Sequence, residues 1–241
     1  MRLNQAIAQT GYCSRRKADE LIAAGKVRVN GVAVTEFGLQ IDPDRDELEV
    51  GGQRLSFKAY KYVVLNKPAG VVTTTSDDQD RETVLHLLPK DLRHLKPVGR
   101  LDMYSEGLLI LTNDGDFALK LTHPRHHVPK LYIVRVAGEL SDKHARLLAK
   151  GVELEDGKTS PAEVYIVERN KSYTEVEITL REGRNRQIRR MFASLGYTVQ
   201  RLVRLAIGGL QLDHIATGSW RHLSSQEVND LLTQSTDAND A

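Results

Sequence analysis

Gly99-Arg100-Leu101-Asp102, followed by Ser105-Glu106-Gly107 and the apolar run Leu108-Leu109-Ile110-Leu111, sets a carboxylate in a glycine-bounded loop just ahead of a strand. Loops held by a rigid scaffold are where substrate-facing side chains concentrate, so Asp102 is a candidate nucleophile or charge-stabilising group. Taken alone, Arg100-Leu101-Asp102 reads as a surface ion pair. A nucleophilic carboxylate must remain ionised beside its substrate, and an arginine-rich helix supplies a means. Ile188, Met191, Phe192 and Leu195 recur at helical spacing and mark a buried face. Arg189 lies about 100° from Ile188 on that wheel, flanking the face, from which it could reach an inward carboxylate and keep it ionised. Arg186 and Arg190 point away from the core. In Leu131-Tyr132-Ile133-Val134-Arg135-Val136, Tyr132 shares a strand face with Val134 and Val136. A core tyrosine is its ordinary reading; beside a site, its ring would stack on a base and its hydroxyl exchange a proton.

The elements that must hold these groups fall into two parts. In the first, Ser14 is an N-cap, Ala18, Leu21 and Ile22 form a helical stripe, and Gly25 ends the helix. Val27-Arg28-Val29 and Val32-Ala33-Val34 flank Asn30-Gly31, the signature of a tight hairpin. A boundary near residue 60 separates this unit, 1–60, from a second, 61–233, with a frayed tail at 234–241. The second unit shows strand patterns at 61–66, 71–75, 107–112, 130–137, 162–168, 173–181 and 208–213. Helical patterns cover 82–88, 115–121, 141–149, 185–195 and 225–232, the last behind the capping box Ser224-x-x-Glu227. Lys67-Pro68 reads as structural, placing the first strand of this unit. Without a regular strand-helix rhythm, the expected class is α+β with a largely antiparallel mixed sheet.

Charge is unevenly spread. Residues 1–35 hold six basic side chains against Asp19 and Glu20, and residues 181–204 hold seven arginines against Glu182. Such arginine-dominated segments suit phosphate and base recognition on a polyanion. The helix start at Arg15, Arg16 and Lys17 adds free backbone N–H groups to those cations. One cysteine excludes an intrachain disulfide and a thiolate zinc cluster, and no apolar run approaches the ~20 residues of a membrane span. A cytoplasmic location follows by elimination. His123-Pro124-Arg125-His126-His127 lacks an acidic or thiol ligand at metal spacing, so it reads as a basic loop touching RNA. Asn113-Asp114-Gly115-Asp116 reads as a turn and helix start, without the ligand ladder of a calcium loop.

Arg2-Leu3, Ser14-Arg15-Arg16-Lys17-Ala18, Ile22, Gly25-Lys26-Val27 and Val29-Asn30-Gly31 together resemble the RNA-binding domain named after ribosomal protein S-four. Asp102, Tyr132 and Arg189, with Leu65-Asn66-Lys67-Pro68-Ala69-Gly70, Lys130-Leu131-Tyr132, Gly183 to Arg190 and Gly208-Gly209, resemble the ribosomal pseudouridine synthases of the RsuA/RluB type. The catalytic positions show no departure from that pattern. The resemblance implies a cofactor-free, metal-free isomerisation of uridine to pseudouridine in ribosomal RNA. Asp102 would act at the sugar, Tyr132 on the base, and Arg189 as the partner of Asp102. Arg2, Ser14, Arg15, Arg16, Lys17, Lys26, Asn30, Arg100, Arg184 and Arg186 are candidate RNA contacts. The Ser14 to Ala18 stretch leans toward members acting on the large subunit. A monomer working on ribosomal RNA or an assembly intermediate is expected. The competing readings are a pseudouridine synthase acting on small-subunit ribosomal RNA, a non-catalytic ribosome assembly factor, disfavoured by the intact Asp102, Tyr132 and Arg189, and a glycoside hydrolase. The hydrolase is disfavoured because no second carboxylate accompanies Asp102.

Overall fold

The structure is a computed structural model that describes residues 1–234; residues 235–241 of the expected tail lie outside the described residues, and Gln234 ends the last helix. The chain divides into two compact units, Met1–Tyr60 and Lys61–Ala241. In the first, α1 (Leu3–Gln9) and α2 (Arg15–Ala23) precede β1 (Val27–Val29), β2 (Val32–Val34), β3 (Leu48–Val50) and β4 (Gln53–Leu55). Ser14 Oγ caps α2 by accepting from Lys17 N at 3.2 Å. Asn30 and Gly31 take φ of +52° and +80°, the left-handed pair that a two-residue hairpin turn demands. The strands run antiparallel in the order β2-β1-β3-β4, and Ile7, Ala18, Ile22, Val27, Leu48 and Val50 fill the core between helices and sheet.

The second unit runs β5 (Tyr62–Lys67), β6 (Lys96–Pro97), β7 (Glu106–Thr112), α3 (Gly115–Thr122), β8 (Lys130–Ala137), α4 (Asp142–Lys150) and β9 (Glu163–Arg169). It continues through β10 (Tyr173–Leu180), α5 (Gln187–Ser194), β11 (Val199–Ile207), β12 (Leu210–Gln211), β13 (Trp220–His222) and α6 (Ser225–Gln234). Among the described residues these form one sheet in the order β13-β5-β7-β11-β8-β10-β9, with β12 on β11 and β6 on β7. The β7–β11 pair is parallel and the other pairs are antiparallel. The mixed, largely antiparallel α+β class read from the sequence is what the chain adopts.

The middle of the sheet is covered on both sides, which is why β5 and β7 read as continuous apolar runs. Val64, Leu108 and Ile110 meet Phe117 and Leu121 of α3 and Val228 and Leu231 of α6. The alternate residues Val63, Leu65, Leu109 and Leu111 meet Val84, Leu88, Leu92 and Leu95. Further out, Val134, Val136, Val176 and Ile178 pack under Ile188, Met191 and Phe192 of α5. Asp114 caps α3, accepting from Asp116 N and Phe117 N at 3.0 Å each. Ser224 and Glu227 exchange the two bonds of a capping box, at 2.8 and 3.2 Å.

Four parts of the second unit differ from the sequence expectation. Residues 71–75 are a loop carrying one isolated β-bridge, Val72–Thr83, and Thr73 turns inward to donate to Leu101 O. Residues 82–88 form turns, not a helix: Thr83 and Val84 are β-branched, Pro89 follows, and His86 Nδ1 accepts from Thr83 N at 3.1 Å. The central strand β11 is concealed in the sequence because its register shifts twice against β8, between Val199 and Arg201 and between Arg204 and Ala206. Each shift breaks the two-residue alternation. The expected strand at 208–213 shrinks to β12, since Gly208 and Gly209 form the turn joining it to β11.

Gly107 makes the parallel pair possible. Its φ is +101°, and a Cβ there would fall 2.3 Å from Arg204 O. Gly107→Ala is expected to cost at least about 2 kcal/mol of stability, read as a lower urea midpoint; an unchanged midpoint would mean that β7 and β11 part without penalty.

Candidate active site

Asp102 lies in the loop between β6 and β7, and the backbone around it is tied down from several directions. Leu101 is buried, and its carbonyl accepts from the Thr73 hydroxyl at 2.8 Å. Ser105 N donates to Asp102 O at 2.9 Å, closing a turn, and Gly70 N donates to Met103 O at 2.8 Å. Lys67, at the end of β5, is fully buried. Its ammonium donates to the carbonyls of Pro68 at 2.9 Å, Met103 at 3.1 Å and Ser105 at 2.8 Å. A lysine in a core needs such partners, and these are loop carbonyls that would otherwise be costly to bury. Burial pushes the Lys67 ammonium down to about 8, opposed by the charges of Glu106 and Asp102. Lys67 therefore does more than place its strand; it fixes the turn that carries Asp102.

The Asp102 carboxylate is partly exposed and has no hydrogen-bond or ion-pair partner among the described residues. It lines a cleft with Arg100, Tyr132, Ile188 and Leu202. Two adjoining lobes, of about 460 and 670 Å³, also reach Asp102, Arg100 and Arg186. Tyr132 packs between the core under α5 and the core under β5 and β7, which orients its ring at the junction. Arg100 and Arg186 are exposed cations on the cleft wall. Arg186 caps α5 in the left-handed region at φ +47°, a strained placement of the kind found at functional sites. The structure thus brings Asp102, Tyr132, Arg100 and Arg186 together. It opens the His123 loop with a single 3-10 turn, Pro124–His126, in which His123 Nδ1 accepts from Arg125 N at 3.2 Å.

Other expected roles need correction. Arg189 is not paired with Asp102: its Nη1 donates to Val199 O at 3.2 Å and its Nη2 to Tyr104 O at 3.1 Å. A helical wheel shows which way a guanidinium points but not which carbonyls claim it, and here β11 and the Asp102 loop do so. The charges still interact. Burial and Arg186 push Arg189 below its ordinary value, and Asp102 pushes it back. Arg184 is not free for a phosphate, since it donates to Glu182 at 3.3 Å and to the carbonyls of Asp156, Gly157 and Lys158 at 3.2, 2.8 and 2.6 Å. Asn30 is likewise committed, donating to Asp46 at 2.8 Å and accepting from Glu47 N at 2.9 Å to brace its turn. Lys17 pairs with Glu20 at 2.7 Å on the surface. Arg2, Arg15, Arg16 and Lys26 are exposed and their side chains are unpaired among the described residues.

Residues 61–194, which hold Asp102, Tyr132 and Arg189, match the model of the RNA pseudouridylate synthase family. The chain belongs to that family. The enzyme's first unit matches the S4 domain over residues 1–45. It is 39% identical over 232 residues to an uncharacterized RNA pseudouridine synthase of Aquifex aeolicus, covering 96% of this chain and 93% of that one. It is 41% identical over 232 residues to ribosomal large subunit pseudouridine synthase B of Bacillus subtilis, covering 95% of each. The crystal structure of a pseudouridylate synthase superposes with a TM-score of 0.70 at 33% identity, covering 96% of this chain and 99% of the other. The enzyme is therefore an isomerase that converts uridine to pseudouridine in RNA. No helix among the described residues is long and apolar enough to cross a membrane.

The sequence reading gives Lys67 no more than a strand-placing part and counts Arg204 within a basic segment, yet both are buried cations. Lys67 interrupts the apolar run from Tyr62, and Arg204 interrupts the run Leu202 to Ile207; a charge inside an otherwise buried strand was the available signal.

Proposed function

We propose that the enzyme isomerises a uridine of large-subunit ribosomal RNA, with Asp102 acting at the sugar of a nucleotide flipped into the cleft. The observation that carries this reading is a carboxylate that shares its cleft with a tyrosine and with the guanidinium groups of Arg100 and Arg186, all three charged groups without a hydrogen-bond or ion-pair partner among the described residues. The reaction breaks the bond from uracil N1 to the ribose, turns the base, and joins C5 to the same sugar carbon; N1 gains a proton and C5 loses one. Asp102 opposes the positive charge that develops on the sugar when the first bond breaks. Tyr132 stacks on the base, with its hydroxyl placed to carry the proton. Arg100 and Arg186 hold backbone phosphates, and Arg2, Arg15, Arg16 and Lys26 of the first unit add sequence-independent affinity. The large-subunit target follows the names of the Bacillus subtilis relative and of a Vibrio cholerae relative 37% identical over 238 residues. The enzyme works as a cytoplasmic monomer on ribosomal RNA or an assembly intermediate.

Arg189 acts as a positioning residue that joins the Asp102 loop to β11. Arg189→Lys keeps the charge and loses the two-point grip, so kcat is expected to fall roughly 100-fold with little change in KM. A matched fall in affinity instead would make Arg189 an RNA contact. Incubation with unmodified large- and small-subunit ribosomal RNA, followed by pseudouridine mapping, tests the target: a new site is expected in the large-subunit RNA, and modification confined to the small-subunit RNA would overturn the assignment.

A further inference from the structure

Arg204 lies on β11 between Gly107 of β7 and Tyr132 of β8, and only 4% of it is exposed. Its Nε donates to Leu108 O at 2.7 Å, while the buried Nη2 has no partner. The side chain lines the 460 Å³ lobe that extends from Asp102 and Tyr132 to Lys130 and His123. Lys130 Nζ donates to Val128 O at 2.8 Å. Burial pushes Lys130 down to about 8, with the Arg204 charge acting in the same direction. Two cations thus share a desolvated wall.

Among the described residues no carboxylate pairs with either of them. Glu182, on the rim, is committed to Ser160, Arg184 and Gln187. The Asp102 charge acts on Lys67 and Arg189, whereas the influences on Lys130 are burial and Arg204. Buried like charges repel strongly at low dielectric. A neutral base carbonyl would accept one hydrogen bond here but leave the repulsion in place; an anion removes both costs. Val98, Leu121, Val128 and Ile207 add apolar surface to the same lobe, and an ionic contact beside apolar surface is screened less than one in open water.

We propose that this lobe is a phosphodiester subsite, in which Lys130 and Arg204 together bind one phosphate of the RNA strand beside the nucleotide whose base reaches Tyr132. The inference rests on the reading of the cleft as the site of uridine isomerisation. Anchoring a phosphate in this lobe offsets the cost of unstacking the target nucleotide. It also fixes the ribose relative to Asp102. A register shift directly follows Arg204, between Arg204 and Ala206, and strand bulges are common beside active sites.

The test measures binding of the full chain to a short oligouridylate, and to the same oligomer with each phosphodiester replaced in turn by a neutral methylphosphonate. Wild type is compared with Lys130→Met. In wild type one linkage is expected to cost about tenfold in affinity when neutralised, and Lys130→Met to bind the natural oligomer about tenfold more weakly with no further loss at that linkage. Losses that multiply at every position, or no sensitive linkage at all, overturn the proposal. Arg204→Lys, which keeps the charge, is expected to bind more tightly than Arg204→Met; equal binding of two folded variants also overturns it. The assay needs no turnover, so failure to modify ribosomal RNA and failure of this subsite give different results.

Discussion

Asp102→Asn lowers the rate of pseudouridine formation by roughly four orders of magnitude and leaves the protein folded and bound to RNA. The substitution preserves the shape of the side chain and removes the charge that would act on the sugar. Because the carboxylate has no partner among the described residues and is partly exposed, its loss is expected to change stability by no more than about 0.5 kcal/mol. RNA affinity is expected to hold or to rise, since a negative charge leaves a cleft walled by Arg100 and Arg186. Single-turnover kinetics with anisotropy and urea melts on the same preparations separate these effects. A fall in stability or affinity matching the fall in rate would make Asp102 structural.

Lys67→Met is expected to damage both stability and catalysis. Three carbonyls, of Pro68, Met103 and Ser105, lose their donor at once. Removing one partner of a buried charged network costs about 3–5 kcal/mol, which is a large share of the 5–15 kcal/mol available to a folded domain. The surviving folded fraction should also turn over slowly, because the turn carrying Asp102 has lost its grip. The pH dependence runs in two directions. Lys67 titrates near 8 when folded, below its ordinary 10.5. Between those values the native amine has lost a proton that the unfolded chain retains, so its contribution to stability rises with pH. Activity moves the other way, because a neutral amine has two donors for three carbonyls. Glu106, whose charge acts on Lys67, is itself held below the usual carboxylate range by its hydrogen bond from Arg201 and keeps its charge throughout this range. Wild-type kcat is therefore expected to decline above about pH 8 while the thermal midpoint holds or rises; a flat kcat profile to pH 10 would remove Lys67 from this role. Lys130 titrates in the same range, so the profile is repeated in Lys130→Met, where the decline in kcat should persist.

The parts of the fold legible in the sequence are those set by local chemistry. The Asn30-Gly31 turn, the Ser14, Asp114 and Ser224 caps, and β8 from Lys130 to Ala137 follow from residue type and period alone. β11 escaped because bulges disturb its alternation, and α1 because a seven-residue helix shows too little of its stripe. At the site, Asp102 and Tyr132 stand out by type and position, the family resemblance adds Arg100 and Arg186, and the fold gathers all of them. What spacing cannot convey is competition among partners. Arg184 and Arg189 are drawn to backbone carbonyls that come near only after long-range folding, Lys158 O and Tyr104 O among them. For the same reason a buried cation such as Lys67 finds its function in a loop 36 to 38 residues away.

Joining uracil C5 to the ribose must displace the hydrogen on C5, so turnover can be followed directly. Large-subunit ribosomal RNA transcribed with [5-³H]uridine is incubated with wild type and with Asp102→Asn, and released tritium is counted. Wild type is expected to release tritium equivalent to one uridine per RNA molecule, and Asp102→Asn to release none above background. Equal release by the two proteins, or none by wild type, would contradict the assignment of Asp102 as the carboxylate that drives isomerisation of this RNA.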